Sequence, residues 1–173
     1  DDNATGPLMT IGQDPHPHPN TVTGIVEKNN LIHMNDLTAH GFIVLYENAG
    51  VTVQLNKFNG LPINGFKAHG DNYILNIWKY NLHLNSPLLA KGVTYGNFYN
   101  NTIVVNQYMP DSTNLMTIGN NAVPGPTVDS ENCEFKNNIV AYTGSSGNMG
   151  MIRLDHANNV CDYNIYYNKN YPC

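Results

Sequence analysis

The chain has 173 residues, enough for one domain and too few for two. Charged residues make up only 12% against a usual ~25%, and 29 asparagines stand in their place, which excludes a coiled coil or long-helix bundle, while 11 Tyr and 5 Phe exclude a solvated disordered chain. A net charge of −5 with 8 Lys+Arg leaves no basic stripe for nucleic acid, and no apolar run approaches the roughly 20 residues of a membrane span.

In chain order, the start at Asp1-Asp2-Asn3, with no initiator Met or signal pattern, reads as processed or truncated. Asn3-Ala4-Thr5 is a glycosylation sequon, as is Asn100-Asn101-Thr102. Leu8-Met9-Thr10-Ile11-Gly12 predicts a first short strand. Pro15-His16-Pro17-His18-Pro19 reads as a stiff polyproline-type loop rather than a metal site.

From there two motifs alternate. One is a short apolar strand, usually closed by glycine: Phe42–Leu45, Phe66–Gly70, Leu88–Gly92, Leu115–Gly119 and Met151–Leu154 follow the first. The other is an asparagine followed by β-prone residues, at Asn30, Asn59, Asn81, Asn101, Asn138 and Asn164, spaced 29, 22, 20, 37 and 26 residues apart. Thr23–Lys28, Val51–Phe58, Tyr73–Tyr80 and Cys133–Lys136 supply a further strand per repeat. Phe98, Phe135 and Cys161 each stand three residues before their asparagine and are expected to stack inside.

A lone repeat of this kind cannot bury its inward side chains, whereas stacked repeats bury them together. Asparagines at one corner can pass hydrogen bonds from amide to amide, and asparagine tolerates the backbone of a sharp corner. The expected fold is therefore all-β: a right-handed parallel β-helix of about six rungs with an asparagine ladder. It forms one domain over 1–173, whole or part of a longer chain. Open ends would invite self-association through unpaired strand edges. Cys133, Cys161 and Cys173 allow at most one internal disulfide, with a Cys133–Cys161 bridge left open; cysteines in this number are compatible with secretion.

This pattern, from about Leu8 to Tyr167, resembles the parallel β-helix of the pectate-lyase-like superfamily. The resemblance implies ladder asparagines between the second and third strands of each rung. It also implies a substrate groove along the first strand, which is the Phe66–Gly70 series. With Phe42, Phe66, Leu88 and Met151 inward, alternation puts Lys67 outward. Two residues on come His69, Lys91 and Leu154, so Lys67, His69 and Lys91 are expected on one outer face. Arg153 is at a nominally inward position, where it either lines an open end or marks a register slip.

A cationic face suits a lyase acting on acidic polysaccharide. Such an enzyme removes the proton beside the sugar carboxylate and needs a base and a neutralising cation. Asn64-Gly65-Phe66-Lys67-Ala68-His69-Gly70 resembles the Asn-Gly-Phe-Lys-x-Gly-Gly segment of family 9 polysaccharide lyases, in which the lysine is the base. The resemblance implies Lys67 as base, with Lys91, His69 or Arg153 facing the carboxylate. Tyr46, Glu47, Asp71, Asp155 and His156 flank the strands as candidate substrate contacts. The calcium-holding aspartate cluster of that family has no counterpart here, where the matching stretch offers Asn35, Asp36, Glu47 and Asn48; calcium stays unassigned and no metal ligand is named.

Bland readings stand beside these. Lys67 and Lys91 also read as solvated residues of a β-surface, and Glu47 with Asp71 as a hydrolase carboxyl pair that any β-helix supplies. The expected function is an extracellular, carbohydrate-active β-helix, most concretely a polysaccharide lyase. The alternative is a non-catalytic β-helix that binds glycan or builds a surface filament or spike.

Overall fold

The computed structural model describes residues 9–11, 22–33, 43–45, 49–60, 66–72, 76–93, 95–106, 114–119, 131–145, 149–154 and 158–170. Among these residues the chain is all-β, without a helix. The strands are, in order, β1 (Met9–Ile11), β2 (Val22–Glu27), β3 (Asn30–His33), β4 (Ile43–Leu45), β5 (Ala49–Gln54), β6 (Lys57–Gly60), β7 (Phe66–Asn72), β8 (Asn76–Lys79) and β9 (Leu82–Leu84). They continue as β10 (Leu88–Val93), β11 (Gly96–Tyr99), β12 (Thr102–Val105), β13 (Asn114–Gly119), β14 (Glu134–Lys136), β15 (Ile139–Tyr142), β16 (Gly150–Leu154), β17 (Val160–Asp162) and β18 (Ile165–Asn168).

Three six-stranded sheets result, in the orders β1-β4-β7-β10-β13-β16, β2-β5-β8-β11-β14-β17 and β3-β6-β9-β12-β15-β18. Every strand pair is parallel. Each successive triplet of strands therefore visits the first, second and third sheet in turn. Parallel neighbours need a long return connection. Here the return is made through the other two sheets.

Between the second and third strands of every triplet stands one asparagine: Asn29, Asn56, Asn81, Asn101, Asn138 and Asn164. The Nδ2 of each donates to Oδ1 of the next, at 3.2, 3.2, 3.1, 3.1 and 2.9 Å. The backbone N–H of each donates to the same oxygen at 2.8–3.0 Å. Nδ2 also reaches back to a carbonyl of the preceding triplet, as from Asn81 to Val53, Asn101 to Trp78 and Asn138 to Phe98, each at 2.9 Å. Asn81, Asn101, Asn138 and Asn164 are the residues the repeat indicates. In the first two triplets the ladder uses Asn29 and Asn56 rather than Asn30 and Asn59.

The reason lies in the residue before each ladder position. Lys28, Leu55, Tyr80, Asn100, Asn137 and Tyr163 all have left-handed backbone, with φ of 59°, 58°, 56°, 55°, 58° and 55°. This conformation makes the corner, and it costs a leucine or tyrosine about 1–2 kcal/mol. The ladder residue then follows at once. Leu55 thus breaks the expected strand Val51–Phe58 into β5 and β6 at a residue type that carries no turn signal.

A fixed corner fixes which residues face inward, since side chains alternate along a strand. In the second sheet Val53, Trp78, Phe98 and Phe135 are successive Cα partners and are buried. Phe98 and Phe135 stack at 4.5 Å, as their positions before the ladder imply. Cys161 follows Phe135 in register but is exposed, because β17 is the edge of its sheet among the described residues. In the third sheet the buried column is Phe58, His83, Ile103 and Val140. In the first it includes Leu88 and Met116. Each such apolar side chain contributes roughly 1.5–3 kcal/mol by leaving water.

Cys133 joins a second polar column, two residues ahead of the second sheet's inward residues. Its N–H donates to Asn159 Oδ1 at 2.9 Å, its Sγ accepts from the Gly96 N–H at 3.3 Å, and Asn76 Oδ1 accepts from the Val51 N–H at 3.0 Å. Neither Cys133 nor Cys161 is in a disulfide, and Cys161 pairs in register with Phe135 instead.

The ladder is expected to be strongest at its middle. Asn101→Ala strands the buried Asn81 N–H and the Trp78 carbonyl and should cost about 3–5 kcal/mol, from unsatisfied groups at ~1–3 each. Asn164→Ala, at the half-buried end, should cost less than half of that. Urea unfolding of the two variants measures both; equal losses would show that the ladder does not carry load in this way.

Candidate functional site

The first sheet carries the lysines singled out by the sequence. Lys67 of β7 and Lys91 of β10 are direct Cα partners, and Val44 of β4 partners Lys67 on the other side. The next column holds Ile43, Phe66, Ala90 and Ile118, of which Ile118 is buried. The expected register is therefore corrected: Phe66 is level with Ile43 and Ala90, not with Phe42 and Leu88. Lys91 is level with Lys67, not with His69.

His69 and Asp71 lie in an irregular stretch. Between Lys67 and Asn72, β7 runs through Ala68, His69, Gly70 and Asp71, where β10 has Gly92 alone. A bulge of this kind leaves residues without ladder partners and bends the strand. His69 and Asp71 thus have no residue of β10 as a Cα partner.

Arg153 of β16 is the Cα partner of Thr117, which partners Leu89. It is exposed, while Thr117 is buried. Leu89 and Lys91 have the same parity, so Arg153 belongs to the lysines' alternate set of positions. This settles its orientation as a register slip and not as an inward arginine. Tyr46, Glu47, Asp155 and His156 lie outside the described residues, as do Asn35, Asp36 and Asn48. Among the described residues no group of three or more His, Cys, Asp and Glu could hold a metal ion. No helix among them is long and apolar enough to cross a membrane.

The outer face of the second sheet carries a cluster that sequence reasoning missed. Tyr99 has Lys79 and Lys136 as its two Cα partners. Its hydroxyl donates to the Glu134 carboxylate, which also meets Lys136 Nζ at 3.1 Å. Burial, then the neighbouring carboxylate, pushes the Tyr99 phenol up to about 12. The hydroxyl of Tyr99, then Lys136, holds Glu134 below the usual carboxylate range. The trio Tyr99, Glu134 and Lys136 is therefore satisfied within itself. A phenol this weakly acidic is no base at neutral pH, so the trio reads as a cross-strand staple. The pairing was hidden because Tyr99 and Glu134 are 35 residues apart.

Two further reactive residue types are spoken for. Burial pushes the Cys133 thiol up to about 11, away from the thiolate a nucleophile needs. His83 is sealed in the core, where Trp78 Nε1 donates to its Nε2 at 3.0 Å and Phe58 stacks on it at 4.7 Å. Its Nδ1 and the nearby Ser86 Oγ have no hydrogen-bond partner. Burial pulls its pKa down to about 3, and a backbone group of Ser86 opposes this without reaching Nδ1 in hydrogen-bond geometry.

Comparison of the chain with family models, curated proteins and solved structures finds no match. The reading of the site therefore rests on its own geometry.

His83 generates a pH dependence with a definite sign. The folded chain keeps the ring neutral, while the unfolded chain protonates it near pH 6.5. Its contribution is complete above that pH and is lost as pH falls toward about 3, by ~1.4 kcal/mol per pH unit. His83→Gln keeps an acceptor for Trp78 and cannot titrate. It should lower Tm at pH 7.5 yet show a smaller fall in Tm on going to pH 4.5. Equal falls in variant and wild type would remove His83 as the source of acid sensitivity.

Proposed function

We propose that the chain is a right-handed parallel β-helix of the pectate-lyase-like kind, extracellular, and that its first-sheet face cleaves acidic polysaccharide by β-elimination. The repeating passage of strand triplets through three parallel sheets and the asparagine ladder support the fold. The observation that carries the function is the pairing of Lys67 with Lys91 on neighbouring strands, which lie about 4.8 Å apart in a sheet.

In this proposal like charge at two directly paired positions disfavours the doubly charged state, which favours the neutral amine that a base must be. In the proposed reaction Lys67 takes the proton from the carbon beside the uronate carboxylate. The electron pair left there forms a carbon–carbon double bond as the bond to the glycosidic oxygen breaks. That oxygen leaves with a proton from water. Lys91 and Arg153 face the carboxylate and offset the charge that builds on it. In the proposal His69 and Asp71, which lie in the irregular stretch after Lys67, contact the flanking sugars, with Tyr46, Glu47, Asp155 and His156 assigned to the same role from the sequence.

A second reading has an observation of its own. Val160, Ile165 and Tyr167 of the last triplet are 41%, 62% and 53% exposed, and their strands are sheet edges among the described residues. Unpaired apolar edges favour strand-to-strand stacking. This is what a non-catalytic β-helix that binds glycan or builds a filament or spike would use.

One assay separates the two. Incubation with pectate, alginate and glycosaminoglycans, with and without calcium, is followed by the ultraviolet absorbance of unsaturated uronate ends. Wild type is expected to raise the absorbance and Lys67→Ala to lose at least a hundredfold in rate, the scale of a removed general base. A flat trace from folded wild type, with sedimentation that grows with concentration, would establish the second reading in place of the first.

A further inference from the structure

The corner between the second and third sheets carries exposed left-handed residues with lysines beside them. At that corner every triplet turns through a left-handed residue. Asn100 and Asn137 take this backbone readily, and Lys28 at least points a charge into water. Leu55 and Tyr80, with φ of 58° and 56°, take it at a steric cost. They recover none of that cost by burial, since they are 51% and 55% exposed. Strain kept in an exposed apolar residue is an observation that asks for a function.

Their neighbours supply charge. Lys57 is exposed and stands two residues after Leu55. Lys79 immediately precedes Tyr80 and is the Cα partner of Gln54, so the two segments lie side by side; the Leu55 N–H donates to the Lys79 carbonyl at 3.4 Å. On this part of the corner, Glu27 is the one carboxylate among the described residues. It is engaged by Gln54 at 2.7 Å and Lys28 at 3.6 Å. Further along, Lys136 is matched by Glu134. Lys57 and Lys79 therefore flank an apolar ledge with no carboxylate opposite them among the described residues.

We propose that Leu55, Lys57, Lys79 and Tyr80 form a binding subsite for an anionic polysaccharide, distinct from the lysine pair of the first sheet. The apolar face of a sugar ring rests on Tyr80 and Leu55. Its carboxylate or sulfate groups meet Lys57 and Lys79. A nucleic acid is the poorer fit: its charge density demands several phosphate-binding cations, and the chain's net charge is −5. The proposal rests on the reading that the protein acts on acidic polysaccharide, and it adds a non-catalytic face that holds the polymer at the corner between the second and third sheets.

The test is titration calorimetry with polygalacturonate and chondroitin sulfate as probes, and with fully methyl-esterified pectin as a neutral control. The host protein is Lys67→Ala, so that no probe is consumed. In that host, Tyr80→Asn and the pair Lys57→Gln with Lys79→Gln should each weaken binding of one acidic probe by about fivefold to tenfold, the loss of one exposed aromatic or charge contact set. Tyr80→Asn and Leu55→Asn should at the same time raise Tm, since asparagine relieves the left-handed strain. A merely structural corner would give the rise in Tm with unchanged affinity and would overturn the proposal. So would equal binding of the esterified pectin, or tighter binding of a duplex DNA probe. Corner variants that lose affinity while wild type shows no lyase activity would keep this subsite and remove the catalytic reading. Lyase activity with affinity untouched by the corner variants would do the reverse.

Discussion

The asparagine carboxamide at the second corner is the interaction on which the rest of the structure depends. It spends all its hydrogen-bonding capacity between neighbouring triplets. Its oxygen accepts the N–H and Nδ2 of the asparagine before it. Its own Nδ2 reaches a carbonyl behind and the next oxygen ahead. Buried polar groups cost little only when they are satisfied in this way. The ladder is also directional, so it fixes each triplet's position along the strands against the next. Slippage by one residue would turn every inward side chain outward. The stacked column of Val53, Trp78, Phe98 and Phe135 is the packing consequence of that constraint.

The same constraint explains which parts were legible in the sequence. Asn81, Asn101, Asn138 and Asn164 announce themselves because β-prone residues follow them. Asn56 does not, since it sits between Leu55 and Lys57. Asn29 was hidden by its neighbour Asn30, and nothing local says which of two adjacent asparagines is the ladder residue. The backbone decides: the ladder residue is the one after the left-handed residue, which is Lys28 in one triplet, and Asn100 or Asn137 in others. Among the described residues the first sheet shows no ladder of its own. Its register was misread by one or two residues, and it is irregular after the Lys67–Lys91 pair. The candidate site was therefore legible as a set of residue types on one sheet, while the pairing of Lys67 with Lys91 and the parity of Arg153 were not.

His83 shows how far corner geometry overrides composition. In Leu82-His83-Leu84, hydrophobicity alone would bury the leucines. The ladder places the second residue after the asparagine inward, and so His83 takes the column of Phe58, Ile103 and Val140. Trp78 then gives its N–H to the imidazole, which satisfies two polar groups at once and leaves Nδ1 unpartnered. The leucines go to the other set of positions, where Leu82 is followed in register by Thr102 and then by the exposed Ile139 and Ile165. An apolar outer face and a polar inner group are both what a corner-determined parity produces when the local sequence disagrees with it.

One position therefore repeats without change while the residue before it varies. The ladder site is asparagine in all six triplets; the left-handed site is Lys, Leu, Tyr, Asn, Asn and Tyr. Burial and hydrogen bonding explain the first. The second has neither constraint, since its side chain points to solvent and the ladder beside it is strong enough to hold a strained backbone. Freed from the needs of the core, that corner can present lysine, leucine or tyrosine according to what it meets. The first sheet has the same freedom where its register shifts, since β7 carries extra residues between Lys67 and Asn72. The two surfaces proposed to bind polysaccharide are thus the two places where the repeat does not dictate the side chain.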